Sequence, residues 1–258
     1  MFIILLFEFF GTALFAASVN IIDPSATAGI DSATQLAQDC LIYLSLMYMA
    51  VLIICTPISG GHLNPTITVG VWLTCEDKKG KFGKMLLMVF AQILGGFFGI
   101  GIGRMVRIVL VPFTVATPLI PTSYYPPYTY AVSPVQWTGV VPAGQGFAPE
   151  ILFSEMFGAF FFVLVFLSLR YRTHLQDKSR DPVFHAAALA GTLFGISYIT
   201  YDLTGLTFYN PVIVMSQSLT NVMFLTQPQT PALDDWVVCM KVFGPFTGAI
   251  IAALIHKF

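Results

Sequence analysis

Two Asn-Pro pairs and two carboxylates inside apolar stretches are the residues of this chain best placed to do chemistry. The pairs are Asn64-Pro65 and Asn210-Pro211. Proline suits the first helical position, where its missing N–H would have had no partner. Each pair therefore reads as the start of a short helix, with amide donors beside the positive end of the helix dipole. A water or alcohol oxygen can accept from such donors, while a cation is repelled. Glu8 and Glu155 lie within candidate spans. Carboxylates are expensive in lipid and face a bundle interior, so they read as acceptors that buttress re-entrant loops. His62 and Gln92 fit the same role, since a buried amide needs partners. No nucleophile or metal-ligand cluster accompanies these groups. The reading assigns no catalytic residue, no metal and no cofactor, and the chain is not read as an enzyme. Cys40, Cys55, Cys75 and Cys239 form no CxxC and read as small buried hydrophobes.

The elements that would position these groups follow from composition. Of 258 residues, 56% are hydrophobic and only 10% charged, with net charge −1. A soluble domain is about 25% charged, so the chain is expected to be an all-α integral membrane protein, with membrane lipids as partners. The charge balance argues against a nucleic-acid partner. Six segments are long enough to cross, at about 2–19, 40–57, 83–103, 150–169, 184–203 and 236–256. The first lacks a basic leader region and reads as a span rather than a removed signal. Two further apolar segments, about 63–74 and 209–222, are too short, and the Asn-Pro pairs open them. Roughly ten helical residues cover ~15 Å, half a bilayer.

Glu8-x-x-Gly11 pairs with Glu155-x-x-Gly158, Asn64-Pro65 with Asn210-Pro211, and Gly95-x-x-x-Gly99 with Gly244-x-x-x-Gly248, at offsets of 147, 146 and 149 residues. Each half holds three spans, an odd number, so the second must be upside down. That is an inverted repeat, and its two half-helices would meet N-terminus to N-terminus near the midplane. The expected organisation is a single domain over 1–258, with repeats at about 1–110 and 150–258. Lys78, Lys79, Lys81, Lys84, Arg170, Arg172, Lys178, Arg180 and Lys257 fall on one side, and Arg104, Arg107 and Lys241 on the other. The bias puts both termini inside, cytoplasmic or matrix, with the membrane itself unassigned. His174, His185 and His256 fall at inner span ends.

Ile58-Ser-Gly-Gly-His-Leu-Asn-Pro-Thr-Ile-Thr68 resembles the first signature loop of the aquaporin, or major intrinsic protein, family. Glu8-Phe-Phe-Gly-Thr12 resembles its first span motif, Ala91-Gln92-x-x-Gly95 its third, and Val242-Phe-Gly-Pro245-x-x-Gly248 its sixth. Thr204-Gly205 leading to Asn210-Pro211 is similar to the second loop. The resemblance covers essentially the whole chain. It implies an aquaporin-like inverted repeat of six transmembrane helices plus two re-entrant half-helices, usually assembled as a homotetramer with one pore per subunit.

The departures from the family pattern bear on function. The usual Asn-Pro-Ala triplets read Asn64-Pro65-Thr66 and Asn210-Pro211-Val212 here, and Val212 is expected to add bulk where the half-helices meet. The family's constriction arginine falls at Ile213, and a usually small position at Phe208. The other constriction positions fall at Leu44, Ser197 (or Ile196) and Thr207. Ile213 neither donates hydrogen bonds nor repels cations, so the constriction is mostly apolar. Phe208 either plugs it or faces lipid or a neighbour. Residues 112–149 carry eight of 16 prolines, with Tyr124, Tyr125, Tyr128, Tyr130 and Trp137 interleaved. This outer loop fits a lid, a docking surface or a segment packed on its own subunit. Two functions remain: a channel for water or small neutral solutes, or a transport-inactive subunit of a larger membrane complex, plausible in an energy-coupling membrane such as the inner mitochondrial one.

Overall fold

A computed structural model of the chain describes the backbone of residues 1–21, 33–114, 149–171, 181–204, 209–224 and 235–257, with side chains over 1–21, 40–106, 149–171, 181–200, 209–218 and 238–257. Among the described residues there are eight helices and no strand: α1 Phe2–Ile21, α2 Ala33–Ser59, α3 Pro65–Thr74, α4 Lys78–Thr114, α5 Pro149–Tyr171, α6 Pro182–Thr204, α7 Pro211–Phe224 and α8 Asp235–Lys257. Six are long and apolar enough to cross a membrane; the short ones are α3 and α7. Helix α4 outruns the expected 83–103 at both ends, because an apolar window marks only the part in lipid while backbone hydrogen bonding continues into the interface. Positions 112–114 therefore belong to α4, and the rest of the proline-rich loop, 115–148, lies outside the described residues.

The packing repeats itself when α1 to α4 are exchanged for α5 to α8. The two most extensive contacts are α1 on α4 and α5 on α8. Helix α1 also packs on α2, and α5 on α6. Each half-helix crosses into the other repeat, α3 against α8 and α7 against α4. The exchange maps α2 onto α6, and these two touch. This is the aquaporin fold, with the two repeats interlocked rather than side by side.

Glycines set the close crossings. A Cβ at Gly95, Gly99 or Gly103 would collide with the backbone oxygen of Phe9, Ala13 or Ala17 on α1. At Gly248 it would collide with the Met156 oxygen on α5, and at Gly244 it would press on Glu155. Lipid tails are as apolar as leucine, so close van der Waals packing of backbones is what holds such helices together. The outward faces carry Phe10, Leu14, Tyr43, Leu46, Phe90, Phe98, Phe157 and Ile199, all exposed as a bilayer-facing surface requires.

Gly99→Ala should therefore destabilise the fold by about 1–3 kcal/mol, because the obstructing atom is backbone and α1 must move away. Gly101→Ala meets nothing within 4 Å and should raise stability by about 1 kcal/mol through helix propensity. Thermal unfolding of the two purified variants in detergent checks the contrast.

Candidate functional site: two half-helices joined at their N-termini

Local sequence builds each half-helix start in the same way. Asn64 is the N-cap of α3: its backbone is extended, and its side-chain oxygen accepts from the Thr66 N–H at 2.9 Å. Asn210 accepts from the Val212 N–H at 3.2 Å. Such caps satisfy one of the orphan donors of a helix start. The preceding residues, Leu63 (φ 51°) and Tyr209 (φ 49°), are both left-handed. That conformation is uncommon for bulky residues, so the surroundings must hold it. The side chains of both are fully buried and lie on glycines. A Cβ at Gly11 would strike Leu63, and one at Gly158 would strike the Tyr209 ring. The glycine of each Glu-x-x-Gly motif is thus a seat for the strained residue of its own repeat.

The two starts are tied to each other. The Asn64 amide donates to the Tyr209 carbonyl at 3.0 Å, and the Asn210 amide donates to the Leu63 carbonyl at 3.0 Å. Both asparagines are buried. Each uses one amide N–H on the opposite loop, and among the described residues the second has no partner.

The first loop is held from below by Glu8. One carboxylate oxygen accepts from the His62 N–H at 3.1 Å, the other from the Leu63 N–H at 2.7 Å and from the Gln92 amide at 2.7 Å. Gln92 also donates to Thr68 Oγ1 at 2.8 Å, and Thr68 Oγ1 lies 3.1 Å from the Asn64 carbonyl, which it can donate to. Arg170 Nη1 sits 3.4 Å from His62 Nε2, while His62 Nδ1 faces Thr68 Oγ1 at 3.2 Å. Arginine has only donors, so Nε2 accepts and Nδ1 carries the proton. Arg170, His62, Thr68 and Asn64 form one relay of hydrogen bonds beside the first loop.

The second repeat departs from this plan. Glu155 Oε1 lies 3.7 Å from Lys241 Nζ, and both are buried. Lys241 stands 149 residues after Gln92, the offset that relates Gly95 to Gly244, so a cation replaces an amide at the equivalent place. Lys241 lies within the span α8, as its position in 236–256 implied, with its side chain in the bundle interior. The matching offset was the signal that identifies it.

The departures from the family triplets have definite places. The Val212 side chain fills the space that a Cβ at Gly96 would need, on α4. Thr66 is buried, with no partner for its hydroxyl among the described residues. Leu44 and Ile213 belong to the same buried apolar cluster. Ser197 is buried, and its hydroxyl serves the Tyr209 phenol together with Thr200, whose Oγ1 is 2.6 Å from it. Ile196 is also buried. Thr207 and Phe208 lie outside the described residues. Among the described residues no group of three or more His, Cys, Asp or Glu could hold a metal.

A buried ion pair broken from one side leaves an uncompensated charge, at about 3–5 kcal/mol, whereas replacing both partners by neutral groups is often tolerated. Lys241→Met alone should therefore lower the unfolding temperature in detergent strongly. The double variant Glu155→Gln/Lys241→Met should recover most of that loss. A double variant as damaged as Lys241→Met would mean that the pair is not what Lys241 contributes.

A model of the family described as major intrinsic protein matches residues 3–256. Among similar proteins, aquaporin PIP2-1 of Arabidopsis thaliana is 28% identical over 209 residues, covering 81% of this chain and 61% of that one. Aquaporin PIP2-4 of Zea mays is 28% identical over 210 residues, with 81% and 61% covered. The chain thus spans about 61% of the length of these relatives. Among solved structures, the X-ray structure of the aquaglyceroporin from Plasmodium falciparum superposes with a TM-score of 0.67 over 98% of this chain and 94% of that one, at 17% identity. That likeness speaks for the fold alone. With two interlocked repeats, two N-capped half-helices tied end to end and a family match along almost its whole length, the chain belongs to the major intrinsic protein family.

Proposed function

We propose that this chain is a membrane pore for water or small neutral solutes, with an outer constriction that lacks the usual arginine. The observation that carries the reading is the reciprocal tie between Asn64 and Asn210. It aims two helix N-termini at one place in the bundle and, among the described residues, leaves each amide an N–H for a passing oxygen. Positive dipole ends at that point disfavour cations, so the permeant is neutral. Leu44 and Ile213 would make the constriction mostly apolar, with Ser197, Thr207 and Phe208 at or near it. That favours solutes with an alkyl part over a filter built to hydrogen-bond on every side. The excess of basic residues on one side orients both termini inward. The exposed apolar belt faces lipid and the neighbours in a homotetramer or a hetero-complex. In this reading the protein is a channel and not an enzyme.

One observation favours the second reading, a transport-inactive subunit of a larger membrane complex. Leu44, Tyr48 and Ile213 expose 1–2% of their surface, so a route lined by them would offer water almost nothing to touch.

Stopped-flow shrinkage of reconstituted vesicles separates the two. The pore reading expects shrinkage under a sucrose gradient faster than in protein-free vesicles. It also expects Asn64→Asp and Asn210→Asp to change the ratio of water to glycerol flux. Wild-type rates equal to those of protein-free vesicles, with folded protein in the membrane and other subunits copurifying in fixed ratio, would replace it with the second reading.

A further inference from the structure

Tyr48 is among the bulkiest fully buried side chains of the bundle, at 2% exposure, and its hydroxyl has no hydrogen-bond partner among the described residues. It lies on α2 one turn after Leu44. The face that carries Leu44, Tyr48, Leu52 and Cys55 is buried, while Tyr43, Leu46, Met47 and Ile54 are exposed. The Tyr48 ring therefore points into the bundle.

Two neighbouring helices give its height. On α5, three positions one turn apart touch three landmarks. Gly158 seats the Tyr209 ring, Phe162 lies 6.0 Å from the Tyr48 ring, and Phe166 lies 5.4 Å from the His62 ring. On α1, Gly11 seats Leu63, and Phe15 one turn further lies 4.8 Å from the Tyr48 ring. Tyr48 is thus level with the junction of the two signature loops, between Tyr209 of one and His62 of the other. Phe15 belongs to the first repeat and Phe162 to the second. Phe15, Tyr48 and Phe162 form an aromatic bar from one repeat to the other at the height of the Asn pair.

We propose that Tyr48 is the gate of this pore, its ring blocking the route beside Asn64 and Asn210; this rests on the pore reading above. Ring packing holds the closed position. The buried hydroxyl opposes it, because a polar group away from water without a partner is costly. A permeant oxygen that reaches the junction can bond that hydroxyl as the ring swings aside, so the same side chain blocks and then helps to bind.

The test is water flux into a sucrose gradient from phosphatidylcholine vesicles holding wild type, Tyr48→Ala, Tyr48→Val or Tyr48→Phe. Size-exclusion profile and thermal unfolding establish that each is folded. Tyr48→Ala should conduct at least ~10-fold faster than wild type, about 1.4 kcal/mol in the barrier. Tyr48→Val should also be faster, and it decides the matter if the alanine variant does not fold. Tyr48→Phe, which keeps the ring, should be no faster than wild type. If wild type outpaces protein-free vesicles and neither small variant is faster, the gate is wrong and the pore reading stands. If wild type and both small variants match protein-free vesicles, both fall. If Tyr48→Phe opens as far as Tyr48→Ala, the hydroxyl rather than the ring closes the route, and the proposal is overturned.

Discussion

The structure depends on pairing irregular backbone where no water is at hand. Each half-helix is reached through non-helical residues at membrane depth, and such backbone persists only if protein satisfies it. The donors of the first loop, His62 and Leu63, are met by Glu8. The acceptors, Leu63 and Tyr209, are met by the asparagine of the opposite repeat. Neither repeat can complete its own loop alone. This is why the halves interlock, with α3 packed on α8 and α7 on α4, instead of forming two separate bundles.

Closure of the loops in turn sets the demands on the long helices. A left-handed leucine and a left-handed tyrosine need room for their side chains, and Gly11 and Gly158 supply it. Bringing the half-helices end to end draws α1 onto α4 and α5 onto α8 at backbone contact. Only glycine is small enough for that at positions 95, 99, 103, 244 and 248. These glycines therefore answer one geometric requirement, twice over.

The symmetry is broken where function would be decided. In the first repeat a carboxylate is matched by amides and N–H groups; in the second it meets an ammonium, Lys241. A buried ion pair does not by itself add stability. Leu44, Tyr48 and Ile213 belong to one buried apolar cluster, and the Tyr48 ring lies between those of Phe15 and Phe162. The fold of the family is present, with an interior much more apolar than the Asn pair alone suggests.

Periodicity and composition determined the six spans, because a bilayer demands about twenty apolar residues per crossing. Repeated motifs at nearly constant offset determined the inverted halves and the meeting of the two Asn-Pro starts, since proline and asparagine act on their immediate neighbours in the chain. What no local pattern could decide were the relations between residues far apart. Asn64 bonds the carbonyl of Tyr209, 145 positions away. Val212 fits the gap at Gly96 on α4, because volume is shared across helices and not along one. Lys241 reads as an outer-side charge until α8 is turned so that its ammonium meets Glu155. Tyr48 is one aromatic among many until α1 and α5 bring Phe15 and Phe162 to either side of its ring. Backbone hydrogen bonding and hydropathy are written locally, so the elements are legible in the chain; side-chain packing depends on all the elements together, so it appears only once they have met.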